Sequence, residues 1–271
     1  METIINYFES IPSSHRSLIL VGGLTFFWII ESRIPLFVFR YNKWRHAGVN
    51  AVFTLTTIVV NFSLAFLLVK SADFVFTNEI GVLHLIEMPI WLFFILGLLL
   101  MDLIGAWLAH YVQHHTPFLW QFHLVHHTDK NIDTTTGNRH HPGESVVRFC
   151  FTLAAVWIIG APIWIVMIYQ SLSVVLTQFN HANIEMNSTI DSILGLVFVT
   201  PNIHRIHHHY KLPLTDSNYG NIFSFWDRIF GTFTAVDNKS LIYGLDTHFT
   251  DDDSQNIGVM LKAPFVRKKK N

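Results

Sequence analysis

Histidine is the residue whose number and spacing in this sequence predict chemistry. Thirteen of the 17 histidines lie between positions 110 and 209. They include an HxxxH pair and an HxxHH triplet, and a second HxxHH triplet follows about eighty residues later: His110 and His114, then His123, His126 and His127, then His204, His207 and His208. Residues three and four apart share one face of a helix, and imidazole binds iron, copper, nickel and zinc. The spacing therefore predicts three metal-binding helix faces.

The remaining histidines are isolated or lie off these faces. His181, in QFNHAN, is predicted to be a further ligand, because an apolar hairpin would return it to the others. His141, in RHHPGE, is a lower-ranked candidate ligand. Three histidines are each next to another histidine but lie off the helical face, and we expect them to contact the metal ligands or solvent: His115, His140 and His209. Ordinary core or surface roles are expected for the lone histidines: His15, His46, His84 and His248.

The number of imidazoles indicates how many metal ions the chain holds. Eight or nine exceed the four ligands of one tetrahedral zinc, so the sequence predicts two ions. Calcium and magnesium prefer oxygen ligands. A nitrogen-rich, carboxylate-poor pair favours redox-active iron, with zinc left open. The single cysteine, Cys150, excludes an internal disulfide framework and any cysteine-based zinc or iron–sulfur site, and no HExxH motif indicates a zinc protease.

The composition indicates that these histidines lie at a membrane. Apolar residues make up 51% and charged residues only 14% of the chain, against about 25% charged in typical globular proteins. Apolar segments run roughly over 17–39, 49–69 and from 88 to 112, and another covers 146–180. Gly160-Ala161-Pro162 divides the last segment, which favours a hairpin over one kinked helix. We therefore predict an all-α integral membrane protein with about four transmembrane helices, two of them forming a short hairpin, under a helical cap that carries the histidine boxes.

Charge placement predicts how the helices cross the membrane. Arg33 lies near the end of the first segment and Arg40, Lys43 and Arg45 follow it, whereas acidic residues follow the second. The positive-inside rule then places the histidine boxes on the cytoplasmic side, and the basic end RKKK agrees. We expect no cleaved signal peptide. The terminal KKKN fits an endoplasmic-reticulum retrieval signal in a eukaryote, so the bacterial inner membrane and the endoplasmic reticulum both stay open. Residues 1–271 are predicted to form one domain, with its histidine core at about 102–233.

A known family has the same boxes in the same order. The HxxxH and two HxxHH boxes, with RxHP, HxN and the tail TPNIHRIHH…DSNYG…FWDRIFGTF, resemble the fatty acid hydroxylase superfamily over about 102–233. This group includes sterol desaturases and alkylglycerol monooxygenase, and the words QF…H, TP…HR.HH and D.NYG resemble the alkylglycerol monooxygenase-like branch. The resemblance implies a membrane enzyme with a non-haem di-iron centre that uses O2 and two electrons to hydroxylate or desaturate a lipid. It implies that nine histidines, the eight of the boxes and His181, are direct iron ligands.

The same resemblance implies supporting roles and partners. Polar residues of the tail are expected to fix it beneath the metal ions: Asp216, Asn218, Tyr219, Trp226 and Asp227. Arg139 and Arg205, which lie beside ligand boxes, are expected to orient the boxes or to contact the electron-donor protein. No nicotinamide, flavin or haem fingerprint occurs, so electrons are expected from a separate reductase, ferredoxin or cytochrome b5-like carrier. The substrate is expected to be a bilayer lipid, whether sterol, fatty acyl lipid, ether lipid or carotenoid.

Two other classes of protein also use clustered histidines. A metal transporter or sensor without oxygen chemistry would favour ligands deep inside the spans and along a pathway, and here the clusters lie at the span ends. A bis-histidine haem protein would need isolated histidines on separate spans. Nucleic-acid binding has little support, because the net charge is −1 and no basic stripe occurs. Nothing in the sequence indicates the oligomeric state.

Overall fold

The computed structural model describes residues 1–245, 250 and 253–266, and over these residues the chain is helical. It has no β-strand there, only three isolated bridges. Five helices are long and apolar enough to cross a membrane: Ser13–Arg33, Lys43–His84, Ile90–His115, Pro142–Ile159 and Ile163–His181. The all-α, multi-pass membrane fold is thereby confirmed. Five such helices occur where the sequence predicts about four. Both arms of the hairpin, with 18 and 19 residues, are long enough to count as separate candidate spans. His248 and the basic end 267–271 lie outside the described residues.

The amino-terminal helices pack around the later ones. Helix α1 (Glu2–Glu9) and α2 (Ser13–Arg33) both lie along the second arm of the hairpin, and α3 (Lys43–Thr77) lies along the first. The side chain of Asn42 caps α3 by accepting a hydrogen bond from the Arg45 N–H. The connection back into the membrane contains a 3-10 turn, Val82–His84.

The third span carries the first histidine box at its end. Helix α4 (Ile90–Asp102) continues through a π-helical turn, Leu103–Leu108, into α5 (Ala109–His115). Such turns are rare and frequently occur at functional sites. Pro117 then starts α6 (Pro117–His127), and Thr116 before it is extended, as the residue before a proline prefers to be. The chain therefore turns at Thr116, and α6 packs against α5.

Helices α7 (Pro142–Ile159) and α8 (Ile163–His181) form the predicted hairpin. Gly160 ends α7 in the left-handed conformation, with φ +79°. A Cβ at this position would lie 2.2 Å from the Ile80 carbonyl oxygen, so only glycine fits. His84 donates from Nε2 to the Gly160 carbonyl at 2.9 Å. The buried apolar core lies between this hairpin, α4 and the carboxyl-terminal half of α3.

The described part of the remaining chain contains four shorter helices, which we call the cap: α9 (Ser188–Leu194), α10 (Pro201–His207), α11 (Phe225–Ile229) and α12 (Ile257–Lys262). Two buried carboxylates attach it to the third span. Asp102, at the end of α4, accepts hydrogen bonds from two backbone N–H groups, of Ile222 and Phe223, and from the Trp226 indole at 3.1 Å.

Asp227 makes the reciprocal attachment from the cap to the span. It accepts from the Trp107 indole at 2.9 Å and from the Tyr219 and Gly220 N–H groups. Trp226 and Asp227 thus hold the tail against the third span. This attachment places the loop before α11 against the first histidine box.

Candidate metal centre

The structure brings together the nine histidines that the sequence predicts as ligands. They form two neighbouring groups, and in each group one ligand atom per residue lies within 4.8 Å of all the others. The first group has five members: His110, His114, His123, His127 and His207. The second group has four: His126, His181, His204 and His208. Over the described residues neither group contains a carboxylate or a cysteine.

Each HxxHH box contributes to both groups. His123 and His127 belong to the first group, whereas His126 between them belongs to the second. The second box is arranged oppositely, with His204 and His208 in the second group and His207 in the first. Adjacent residues of a helix are rotated by about 100°, so positions i+3 and i+4 lie at the two edges of the face that they share with position i. Position i+3 can therefore reach a neighbouring site while i and i+4 supply the first. The pattern allows two helices to supply two adjacent sites.

Two buried arginines hold the backbone segments that carry the boxes. Arg139 donates to the Val125 carbonyl and the Thr128 hydroxyl at the end of α6, and to the Asn50 side chain on α3. Arg205 donates to the carbonyls of Ala182 and Ile184, just after His181. Each arginine thus holds the end of a ligand-bearing helix.

In the first group most imidazoles are held through Nδ1. Four rings donate a hydrogen bond from Nδ1 to a fixed oxygen: His110 to the Tyr219 carbonyl at 2.9 Å, His114 to Asp216 at 3.0 Å, His123 to Glu144 at 2.8 Å and His207 to the Ser217 carbonyl at 2.8 Å. Such contacts set the tautomer of metal-binding histidines and orient their rings. The lone pair of each ring is therefore on Nε2.

These Nε2 atoms converge, which is unfavourable without a cation. Nε2 of His110 lies 3.0 Å from Nε2 of His123, although both rings carry their proton on Nδ1. The Nε2 atoms of His114 and His207 are buried without a hydrogen-bond partner, and an unsatisfied buried nitrogen costs about 1–3 kcal/mol. A metal ion at this point would satisfy all of these lone pairs, so the five imidazoles fit one.

The second group converges on His181. Its Nδ1 donates to the Thr177 carbonyl at 2.8 Å, which leaves the lone pair on Nε2. Three other Nε2 atoms, of His126, His204 and His208, lie 3.1 to 3.2 Å from it. One lone pair accepts one good hydrogen bond, so three converging nitrogens exceed what hydrogen bonding explains. These four imidazoles also fit a metal ion.

The histidines of the cap and of α6 are held in the neutral form that metal binding requires. Burial lowers the pKa of each below its ordinary value, and for most of them neighbouring histidines lower it further. The affected residues are His123, His126, His127, His204, His207 and His208. For His123, Glu144 opposes this effect, but burial is the larger influence.

A charged network lies behind α6. Asp129 and Asp133 both contact His46, at 2.8 and 3.1 Å. Burial would raise the pKa of Asp129, but His46 and Arg139 hold it well below its ordinary value. The network therefore keeps its carboxylates ionised and paired, as buried charges require. His46 has the structural role expected for it, since it is absent from both metal groups.

The adjacent histidines at 140 and 141 have different surroundings. His141 caps α7, where Nδ1 accepts from the Gly143 N–H at 2.9 Å and Nε2 donates to the Leu261 carbonyl. With both nitrogens engaged, it lies in neither group. His140 stacks on the ring of His126, with the ring centroids 5.0 Å apart. His115 and His209 also lie outside both groups and bind nearby backbone atoms.

Glu144 is the functional residue that sequence reasoning missed. Its carboxylate is fully buried, accepts from His123 Nδ1, and lies 2.8 Å from Nδ1 of His140. A signal for it exists, because HHPGE places an acidic residue in the first turn of a proline-initiated helix, next to two histidines. The carboxylate supplies negative charge next to a group of neutral ligands.

The fold and the site define a multi-pass helical membrane protein with two adjacent, all-histidine candidate metal sites at the ends of its spans. Comparison with known proteins gives the family. Residues 94–232, just over half of the chain, match the family model described as fatty acid hydroxylase. The chain belongs to the fatty acid hydroxylase family, which confirms the resemblance seen in its boxes.

Curated relatives match the same part of the chain. It is 27% identical over 174 residues to an ornithine lipid hydroxylase of Rhizobium tropici, covering 64% of this chain and 50% of the relative. It is 33% identical over 172 residues to the alkylglycerol monooxygenase of Danio rerio, covering 61% and 36%. The Caenorhabditis elegans alkylglycerol monooxygenase is 32% identical over 145 residues, covering 52% and 27%. The chain thus spans half or less of these relatives' length. No solved structure matches it.

Proposed function

We propose that this protein is a membrane-bound non-haem di-iron monooxygenase that hydroxylates a lipid. The overall reaction consumes one O2, two electrons and two protons for each C–H bond: R–H + O2 + 2 e⁻ + 2 H⁺ gives R–OH + H2O. When bound, the two iron ions supply the activation of O2. The relatives are named hydroxylase and monooxygenase, which favours hydroxylation over desaturation.

The observation that carries this proposal is the convergence of nine buried imidazoles in two adjacent groups. Two ions held by neutral nitrogen ligands suit redox iron better than calcium or magnesium, which prefer oxygen ligands. A single structural zinc would need only four ligands. The family match supports the same chemistry, since it covers every histidine of both groups.

Other residues of the chain would set the protonation of the ligands, exclude water and admit the lipid. The carboxylates of Asp216 and Glu144 hold the protons on Nδ1 of His114 and His123, so that Nε2 stays free to bind metal. Apolar side chains that line the cavity between the spans, such as Leu20, Phe149 and Val174, would exclude water from the lipid chain. A cavity between the spans, described below, offers a lipid a path from the bilayer to the histidines.

Electron supply and membrane orientation are part of the proposal. The histidine groups would lie on the cytoplasmic side, as the basic residues after α2 indicate. A separate donor, such as a reductase, ferredoxin or cytochrome b5-like protein, would deliver the two electrons there. The lipid itself would come from the bilayer.

Metal analysis and a matched pair of histidine variants test the proposal. Protein purified without oxygen from iron-replete cells should contain about two irons per chain, and reduced protein with O2 should form a hydroxylated lipid. His208→Ala should abolish the product and lower the iron content, because His208 belongs to the second group. His209→Ala is the control, since the adjacent ring lies in neither group. Lipid profiles of cells with and without the protein, with His126→Ala as inactive reference, would identify the product.

Three results would contradict this function. They are zinc in place of iron in active protein, a product that forms without O2, and hydroxylation that survives His126→Ala. Zinc flux into vesicles that contain the protein would instead support a transporter.

A further inference from the structure

A cavity of about 380 Å³ leads from the membrane-facing surface toward the histidines. It lies among α2, α3, α7 and α8, and its volume is within the range of lipid and drug-sized ligand sites. On α3 its lining includes Phe62 and Ile58, which are 82% and 44% exposed. The cavity therefore opens between α2 and α3, toward the position of the bilayer.

At its inner end this cavity meets a second, much smaller one. The small cavity has a volume of about 20 Å³ and is bounded by histidines of both metal groups, including His110, His123 and His181. The linings of the two cavities share four residues: Gly137, His140, Arg148 and Thr177. Arg148 therefore lies at the junction between the membrane-facing cavity and the metal centre.

Arg148 is a charged residue without a protein partner. Over the described residues its guanidinium makes neither a hydrogen bond nor an ion pair. The acid one turn earlier on α7 is Glu144, whose carboxylate contacts His123 and His140 instead. The linings of the two cavities contain two arginines, Arg16 and Arg148, and no aspartate or glutamate.

An unpaired cation at this depth is costly and calls for a ligand. Ionisable residues within membrane spans are expensive and mark functional sites, and a partly buried charge is stabilised only by pairing. A guanidinium presents a rigid fork of N–H donors that matches carboxylate or phosphate oxygens. Ser, Thr and Asn side chains elsewhere in the lining, among them Thr57, Asn61 and Ser173, can donate further hydrogen bonds.

We propose that Arg148 binds an oxyanion of the lipid substrate, a carboxylate or a phosphate, at the junction of the two cavities. This inference rests on the proposed function and narrows its substrate to anionic lipids. The apolar chain of the lipid then extends through the large cavity toward the gap between α2 and α3. The charged end lies beside the histidines.

The size of the small cavity also determines which carbon is oxidised. A volume of about 20 Å³ holds about one water-sized group, so no long chain lies between Arg148 and the metal ions. The carbon that reacts must then lie within a few bonds of the oxyanion. The product carries its new hydroxyl near the charged group, and the distal part of the chain is unchanged.

A set of matched lipids with one acyl chain tests this binding. Palmitic acid, lysophosphatidic acid with a palmitoyl chain, and uncharged monopalmitoylglycerol are given to iron-loaded protein in nanodiscs of neutral lipid. Wild type should prefer one or both anionic lipids, and the preferred one identifies carboxylate or phosphate. Arg148→Gln should raise KM for that lipid about 10- to 100-fold, the value of charge-assisted hydrogen bonds. Its kcat and iron content should stay near wild type, and Arg148→Lys should recover part of the affinity.

A second measurement keeps the test independent of turnover. Native mass spectrometry of metal-free protein should show the preferred anionic lipid bound to wild type and largely lost from Arg148→Gln. Equal binding by both proteins, or a raised KM for Arg16→Gln in place of Arg148→Gln, would overturn the assignment and leave the proposed function intact. Hydroxylation far along the chain would also overturn it. If no lipid is oxidised, the proposed function fails, and the binding measurement still decides the role of Arg148.

Discussion

Replacing Glu144 with glutamine removes one negative charge from beside the first histidine group and preserves the shape of the side chain. Glu144 is fully buried, and its only close partners among the described residues are His123 and His140, each 2.8 Å from Oε1. Glutamine can still accept the proton of His123 Nδ1 but no longer balances the charge that a metal ion brings. Loss of such support costs about 10- to 100-fold in metal affinity, or about 1.4–2.7 kcal/mol.

The effect should be confined to one of the two metal sites. His123 belongs to the first group, and no ring of the second group is within hydrogen-bond distance of Glu144. Titration of iron into metal-free protein against a competing chelator should therefore show one binding phase weakened about 10- to 100-fold. The other phase should be unchanged. Glu144→Ala, which removes the acceptor as well, should weaken the same phase further.

The control for this variant is Glu185→Gln. Glu185 is exposed, and its nearest cation, Lys239, is 4.0 Å away, so the loss of its charge should leave both phases as in wild type. Two results would refute the reasoning. One is an unchanged titration for both Glu144 variants. The other is equal weakening of both phases together with a lower melting temperature of metal-free Glu144→Gln, which would show that Glu144 supports the fold and not one site.

Metal-free protein should lose stability as the pH falls below about 6.5. Buried histidines such as His207 have a lowered pKa, so the unfolded chain binds more protons than the folded one, at about 1.4 kcal/mol per pH unit for each histidine. A melting temperature that does not change between pH 8 and 5 would contradict this. Gly160→Ala should cost more than about 1 kcal/mol, because its φ is +79° and the added Cβ meets the Ile80 carbonyl. Gly22→Ala on α2 has nothing within 4 Å of its Cβ and should be neutral or stabilising by up to about 1 kcal/mol. Equal melting temperatures for the two variants would refute the steric argument.

The hairpin shows how much of the fold local sequence could predict. Apolar runs and the Gly160-Ala161-Pro162 break are local signals, and both helices of the hairpin end and begin at them. The number of spans is harder to predict, because the length of an apolar run does not show whether each arm is a full helix. The π-helical turn at Leu103–Leu108 has no local signal that could reveal it.

In the candidate site, too, some features follow from neighbouring residues in the sequence and others from contacts between distant residues. His140 and His141 are neighbours in sequence, yet one stacks on His126 and the other caps a helix. The difference arises because α7 starts at Pro142 and turns the two rings in different directions. Glu144 escaped prediction since a single carboxylate has no spacing pattern, and its partner His123 is on another helix.

By itself, the sequence determined which histidines lie on the same side of each helix, since residues three and four apart are neighbours on the helix surface whatever the rest of the fold does. It also determined that these helices are joined to membrane spans, because apolar length is a local property. Only the tertiary structure decided that His123 and His127 meet His207, and that His126 meets His204 and His208. That pairing depends on how α6 packs against α5 and α10 against α8. Buried contacts of Arg205 with the Ile184 carbonyl and of Asp227 with the Trp107 indole help to set this arrangement.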